Sequence, residues 1–255
     1  EWAMDRNEEI KYAIENKIPI PASVDIPYSD DDNMWGITWE GGEITDPSLI
    51  APEEKFLTTY SLPKNAPEDP EFVKLEFDQG IPTTLNGKKL KLSKLIQMLN
   101  KLAGKHGVGT IQLLEDRLIG LKNRGIYEHP GAHVIIEAHK NLEKYVSTRE
   151  LNELKQQMDI KWGYFCYGAK WFDPAMDAIN AFNNKVNEKV TGEVTVRLFK
   201  GSAAVVALKS PYALEHASFN NKEGYDLNVN ASAGFIEIYS LQMKLANQLG
   251  KGKSR

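Results

Sequence analysis

Polar side chains suited to holding an amino acid crowd into one stretch, Leu114-Glu115-Asp116-Arg117-Leu118-Ile119-Gly120-Leu121-Lys122-Asn123-Arg124-Gly125-Ile126-Tyr127-Glu128. It leaves a predicted strand and turns at Gly120 and Gly125, and functional side chains concentrate on such strand-end loops. The carboxylate of Glu115 suits an ammonium group, and the phenol of Tyr127 suits hydrogen-bond donation. A plainer reading stands beside this one. Glu115 and Arg117 are two apart, so a continuing strand places them on one face where they pair, with Tyr127 a core aromatic.

Other candidate chemistries fail on spacing or context. Gly104-Lys-His-Gly107-Val-Gly109 looks like a phosphate loop, but it follows a helix instead of joining a strand to a helix N-terminus. It reads as a helix C-cap and turn, with Gly104 ending the helix. Asp30-Asp31-Asp32-Asn33 lacks the glycine and distant glutamate of a calcium loop and reads as a solvated turn begun by Ser29. His129 and His133 would share a helix face as zinc ligands do, but His129 precedes Pro130 and falls outside the helix. Cys166, the single cysteine, reads as a buried thiol between Phe165 and Tyr167, with nothing nearby to lower its pKa. One cysteine allows no internal disulfide, which fits a reducing cytosol.

The elements that must position these groups follow from periodicity and turn chemistry. Residues 5–16 read as a helix capped by Asp5 or Asn7, with Ile10, Ala13 and Ile14 on one face; Pro19 and Pro21 then force an extended segment. Residues 26–70 are irregular, with a strand candidate at Met34–Trp39. Val73, Leu75 and Phe77 alternate as a strand, Asn86-Gly87 marks a hairpin, and Ser93 caps a helix through Leu95, Ile96 and Leu99. A strand at 110–114 precedes helices carrying Val134 to Tyr145, capped by Ser147 and Glu150 before Leu151, and opened by Asp173-Pro174. A second hairpin turns at Lys200-Gly201-Ser202. Behind a polar stretch, Asn220–Asn230, one amphipathic helix carries Phe235, Ile238, Leu241, Leu245 and Leu249. Hairpins and helices fall in blocks, so the class is α+β, antiparallel hairpins packed with several helices.

The 42% apolar and 26% charged composition is that of a globular protein. A net charge of −4 argues against a non-specific nucleic-acid binder, and the basic tail Lys251-Gly-Lys253-Ser-Arg255 is too short to change that. No apolar run suggests a membrane span, and no signal peptide is legible. The opening Glu1-Trp2-Ala3-Met4, without an initiator methionine, reads as a chain cut inside a longer polypeptide.

Taken in order, Gly104-Lys-His-Gly-Val-Gly109, Leu114-Glu-Asp-Arg-Leu-Ile-Gly120 and Arg124-Gly-Ile-Tyr127-Glu closely resemble the signature region of argininosuccinate synthases. So do Lys17-Ile-Pro-Ile-Pro21, Pro27-Tyr-Ser29 through Gly36-Ile-Thr-Trp-Glu40, and Ala233-Gly-Phe-Ile236. The resemblance implies a cytoplasmic, homotetrameric ligase of arginine biosynthesis and the urea cycle. Such an enzyme joins L-citrulline and L-aspartate into argininosuccinate, AMP and pyrophosphate through a citrullyl-adenylate. It further implies that Ser29, Thr38, Glu115 and Tyr127 contact citrulline, Glu115 at the α-ammonium and the three hydroxyls around the amino-acid head. Thr38 stands where the family often has Ser, keeping the hydroxyl while adding a methyl that restricts χ1.

The family's Ser-Gly-Gly-x-Asp-Thr-Ser phosphate loop has no counterpart in this sequence. The resemblance therefore puts ATP, with Mg2+, on a nucleotide-binding domain N-terminal to this portion. It makes residues 1–22 a connecting helix and linker, 23–230 a synthetase domain and 231–255 an oligomerisation helix. On that reading the chain holds no catalytic residue, cofactor contact or metal ligand and is inactive alone. The alternatives are an isolated, non-catalytic scaffold domain unable to bind ATP, or a diverged amino-acid-binding relative.

Overall fold

In chain order the elements are α1 (Arg6–Glu15), β1 (Tyr28–Asp32), β2 (Ile37–Gly41), β3 (Glu71–Asp78), β4 (Ile81–Leu85), β5 (Lys88–Lys89), α2 (Leu92–Lys105), β6 (Thr110–Asp116), β7 (Lys122–Glu128), α3 (Pro130–Val146), α4 (Arg149–Tyr167), α5 (Pro174–Asn187), β8 (Gly192–Phe199), β9 (Ser202–Lys209), α6 (Ala231–Tyr239) and α7 (Leu241–Lys251). They come from a computed structural model that describes residues 3–4, 6–19, 28–55, 57–215, 228 and 230–251. The chain divides into two compact units, Glu1–Ala213 and Leu214–Arg255. Asp5, Pro21 and most of Asn220–Asn230 and of the basic tail lie outside the described residues.

The first unit holds two sheets built of antiparallel pairs. A five-stranded sheet of order β5-β4-β3-β8-β9 takes its inner face from the alternation the sequence displays: Val73, Leu75 and Phe77 on β3 and Val194, Val196 and Leu198 on β8. Leu95, Ile96, Leu99 and Ala103 of α2, with Val134, Ile135, Ala138 and Leu142 of α3, close the same core. Three two-residue hairpin turns put a residue in the left-handed region at each position, Gln79-Gly80, Asn86-Gly87 and Lys200-Gly201, which matches the strand twist. The second sheet, of order β1-β2-β7-β6, carries the candidate site.

Several helix ends differ from expectation, each for a local reason. Lys91, not Ser93, is the N-cap of α2, its carbonyl accepting from the amides of Lys94 and Leu95. Thr148, not Ser147, caps α4, accepting from Leu151 at 3.3 Å, because Ser147 is already the C-cap of α3. Asp173 caps α5 as expected, accepting from Ala175 at 2.9 Å. Gly104 does not end α2. A Cβ there would lie 2.0 Å from the Thr59 carbonyl oxygen, so the missing side chain admits a crossing segment. Ile14 of α1 is 67% exposed and so lies off the expected face, whereas Ala13 is buried.

In the second unit the expected single helix breaks at Ser240 into α6 and α7. Phe235 stacks on Tyr239 at 5.1 Å, and Ile238, Leu241, Leu245 and Leu249 are all exposed on this chain.

Candidate functional site

Strand register decides which side chains share a face. Directly opposed residues of antiparallel strands point the same way, as do residues two apart on one strand. Ser29 opposes Glu40, Asp31 opposes Thr38, Thr38 opposes Tyr127, Tyr127 opposes Ile111, and Glu115 opposes Asn123. Counting by twos along β1 and β6 puts Ser29, Thr38, Glu115 and Tyr127 on one face of the four-stranded sheet. All four are half-buried, and no described residue donates to or accepts from their side chains. Polar groups partly withdrawn from water and left without protein partners are disposed to be satisfied by a ligand.

Tyr127 leans along its strand. A Cβ built on Gly125 would lie 3.1 Å from the Tyr127 hydroxyl oxygen, so the ring covers Gly125 and aims its hydroxyl toward the Glu115 end. Gly125 is therefore a strand residue under a phenol ring rather than a turn. The turn itself is Arg117–Leu121, where Gly120 at φ +83° donates to the Arg117 carbonyl at 2.7 Å. Arg117 does not pair with Glu115. Its Nη2 reaches across the sheet to Glu40 Oε2 at 2.9 Å, which leaves the Glu115 carboxylate free. The turn expected at Asp30–Asp32 is strand β1, and the expected strand at Met34–Trp39 is displaced to Ile37–Gly41. The reversal sits at Asn33–Gly36, where Asn33 Oδ1 accepts from Trp35 at 2.9 Å and the Asn33 amide donates to Gly36.

The opposite face is a small core of Tyr28, Ile44, Ala51 and Ile126, with Trp39 and Leu57 against it. Two charged residues of β7 strap the irregular 43–60 segment over that core. Arg124 donates from Nε to Ile44 O at 2.6 Å, from Nη1 to Leu49 O at 2.8 Å and from Nη2 to Glu43 O at 2.7 Å. Glu128, fully buried, accepts from Trp39 Nε1 at 2.7 Å and from the amides of Thr58, Thr59 and Tyr60 at 3.0, 2.8 and 2.9 Å. Sequence reasoning gave neither residue a role. The signal was their alternation with the apolar Ile126, which marks 124 and 128 as inward positions. Tyr28 donates to Glu43 at 2.8 Å, and burial together with that carboxylate pushes its pKa up to about 12.

A cleft of about 360 Å³ opens beside the candidate residues, lined by Trp35, Thr38, Ile111, Tyr127, His129 and Ile136. His129 is the N-cap residue of α3, its ring 6.0 Å from that of His133, and burial followed by the His133 charge holds its pKa below the usual value. A larger cleft of about 520 Å³ lies against α2 at Lys94, Gln97 and Lys101, but no carboxylate lines it to take an ammonium group. Cys166 is half-buried rather than enclosed.

Gly104–Gly109 is not built as a phosphate site. Gly104–Gly109 leaves the C-terminal end of α2, where carbonyls rather than amides are exposed, and a cradle for phosphate needs amides. Among the described residues no group of three His, Cys, Asp or Glu side chains could hold a metal ion. No described helix is long and apolar enough to cross a membrane.

The family model described as "Arginosuccinate synthase C-terminal domain" matches residues 28–246. The chain belongs to the argininosuccinate synthase family. It is 43% identical over 257 residues to an argininosuccinate synthase of Symbiobacterium thermophilum, covering 100% of this chain and 63% of that protein. It is likewise 43% identical over 254 residues to those of Bacillus mycoides and Streptococcus suis, covering 99% and 98% of this chain. The chain spans 63% of the length of each of these relatives. The matched region contains both sheets and all four candidate residues of this argininosuccinate synthase family member.

Proposed function

We propose that this chain supplies the citrulline-binding face of an ATP-dependent ligase that joins L-citrulline and L-aspartate into argininosuccinate, with release of AMP and pyrophosphate. The observation that carries the proposal is the single sheet face on which Ser29, Thr38, Glu115 and Tyr127 stand together without side-chain hydrogen-bond partners among the described residues. Glu115 takes the α-ammonium of citrulline through a charge-assisted hydrogen bond. The three hydroxyls orient the rest of the amino-acid head, so the chain contributes by holding one reactant in a fixed pose. All four are assigned binding roles. ATP and Mg2+ are held outside this chain by a nucleotide-binding portion to which residues 1–22 connect, a reading supported by the lack of a phosphate cradle at Gly104–Gly109. The exposed apolar side chains of α6 and α7 are covered in a cytoplasmic homotetramer.

The test is Glu115→Gln in the complete gene product. The citrulline KM rises about 30- to 100-fold, as loss of a charge-assisted contact predicts, while the KM for ATP stays within about twofold. Unchanged citrulline kinetics would remove Glu115 from the site.

A second reading, a non-catalytic scaffold, is favoured by the lack of a phosphate cradle at Gly104–Gly109. It predicts an oligomer that ignores ATP and binds citrulline weakly or not at all. Under either reading, truncation after Ala231 lowers the sedimenting mass; an unchanged mass would reject the role of α6 and α7 in assembly.

A further inference from the structure

Strands β2 and β7 pair through Ile37–Glu128, Thr38–Tyr127 and Trp39–Ile126, and there the ladder ends. The β1–β2 ladder continues past that point through Ser29–Glu40 to Tyr28–Gly41, and the β6–β7 ladder through Glu115–Asn123 to Asp116–Lys122. Ser29 and Glu115 thus lie on two arms whose separation the backbone hydrogen bonds no longer set. On the candidate face, among the described residues, one side-chain hydrogen bond spans the gap: Arg117 Nη2 donates to Glu40 Oε2 at 2.9 Å. Glu40 is the direct cross-strand neighbour of Ser29, and Arg117 lies two residues beyond Glu115. Arg117 is itself held by a closed turn, its amide donating to Leu121 at 2.8 Å and its carbonyl accepting from Gly120 at 2.7 Å. The guanidinium therefore projects from a fixed base.

We propose that Glu40 and Arg117 form a positioning pair for the amino-acid substrate. The pair sets the distance between the Ser29–Thr38 arm and Glu115. By neutralising Glu40 it also keeps that carboxylate from competing with Glu115 for the substrate ammonium. This deepens the citrulline-binding role proposed above and rests on it. The side chains are 42% and 38% exposed, a setting in which an ion pair adds little to folding, so the contact is poorly placed to serve stability. Geometry is where it acts: small misplacements of a bound reactant are costly. An unpaired Glu40 beside Ser29 would also offer the ammonium a second anchor in the wrong place.

The experiment compares R117M, E40Q, the double variant and the swap E40R/R117E in the complete gene product, with E115Q as reference. Citrulline KM, ATP KM, kcat and thermal midpoint are read for each. R117M raises the citrulline KM about tenfold with ATP KM and midpoint near wild type, E40Q raises it less, and the double variant is less than additive. The swap brings the citrulline KM back to within about threefold of wild type. Wild-type citrulline KM in both single variants overturns the proposal. So does a fall in midpoint with all kinetic constants worsening together, as a merely structural pair would give. Where R117M fails to fold, the isosteric E40Q decides alone by the same criterion. If E115Q also leaves the citrulline KM unmoved, the binding-face reading itself fails. If E115Q raises it and the pair variants do not, only the positioning role is lost.

Discussion

Glu128→Gln tests whether the candidate face is held by the strap beneath it. The substitution keeps volume and shape but turns one carboxylate oxygen into an NH2 group. Oε1 accepts from Trp39 Nε1, Oε2 from the Thr59 and Tyr60 amides, and the Thr58 amide is shared between the two oxygens at 3.0 and 3.1 Å. Whichever way the glutamine amide turns, its NH2 meets an N–H donor in a fully buried site; the cheaper orientation puts the NH2 at the Oε1 position, where Trp39 Nε1 loses the Glu128 acceptor while the Thr58 amide keeps the other oxygen. A buried donor deprived of its acceptor costs about 1–3 kcal/mol. For a domain of this size about 2–4 °C of midpoint goes with each kcal/mol, so the thermal midpoint drops by roughly 2–12 °C. Circular dichroism melts of wild type and variant at equal concentration measure it. Because Trp39 is one residue from Thr38, the citrulline KM rises as well. A midpoint within about 1 °C of wild type would refute the reasoning, since it would mean the Trp39 indole gives up the Glu128 acceptor at no cost.

Two further expectations use local geometry. Gly104→Ala drives a methyl group to within 2.0 Å of the Thr59 carbonyl and lowers soluble yield and midpoint severely, whereas Gly120→Ala, with nothing within 4 Å, costs only about 1–2 kcal/mol for its left-handed φ. His139 contacts Asn187 at 3.2 Å, and burial, opposed by Glu143 and Asn187, holds its pKa below the ordinary 6.5. The unfolded chain therefore binds that proton first, so stability present above pH 6.5 is lost as the pH falls below it; His139→Gln flattens part of the decline in thermal midpoint between about pH 7 and 5.

Local signals were read best where local energetics decide. Asn86-Gly87 and Lys200-Gly201 turned as hairpins, the β3 and β8 alternations became the core face, and Asp173 capped its helix, since each depends on residues a few positions apart. The acidic run after Ser29 misled for the same reason. Asp30-Asp31-Asp32 favours a turn locally, but pairing with Ile37, Thr38 and Trp39 overrode it, and a partner strand is not visible in a single strand's composition. Ser147 offered a cap that Thr148 took because the preceding helix ran one residue further than its periodicity indicated.

The candidate site divides along the same line. Residue types and motif order determined the family, and with it the identities of Ser29, Thr38, Glu115 and Tyr127 as candidates. That these four share one face was decided by the register of three strand pairs, one of them, β2 with β7, joining segments far apart in sequence, and a one-residue slip in any ladder would have turned its residue away. The tertiary structure also resolved the choice left open at Glu115. Arg117 has a carboxylate within reach two residues away in sequence, yet it pairs with Glu40, because the Arg117–Leu121 turn reverses the chain just past the strand and sends the guanidinium across the sheet.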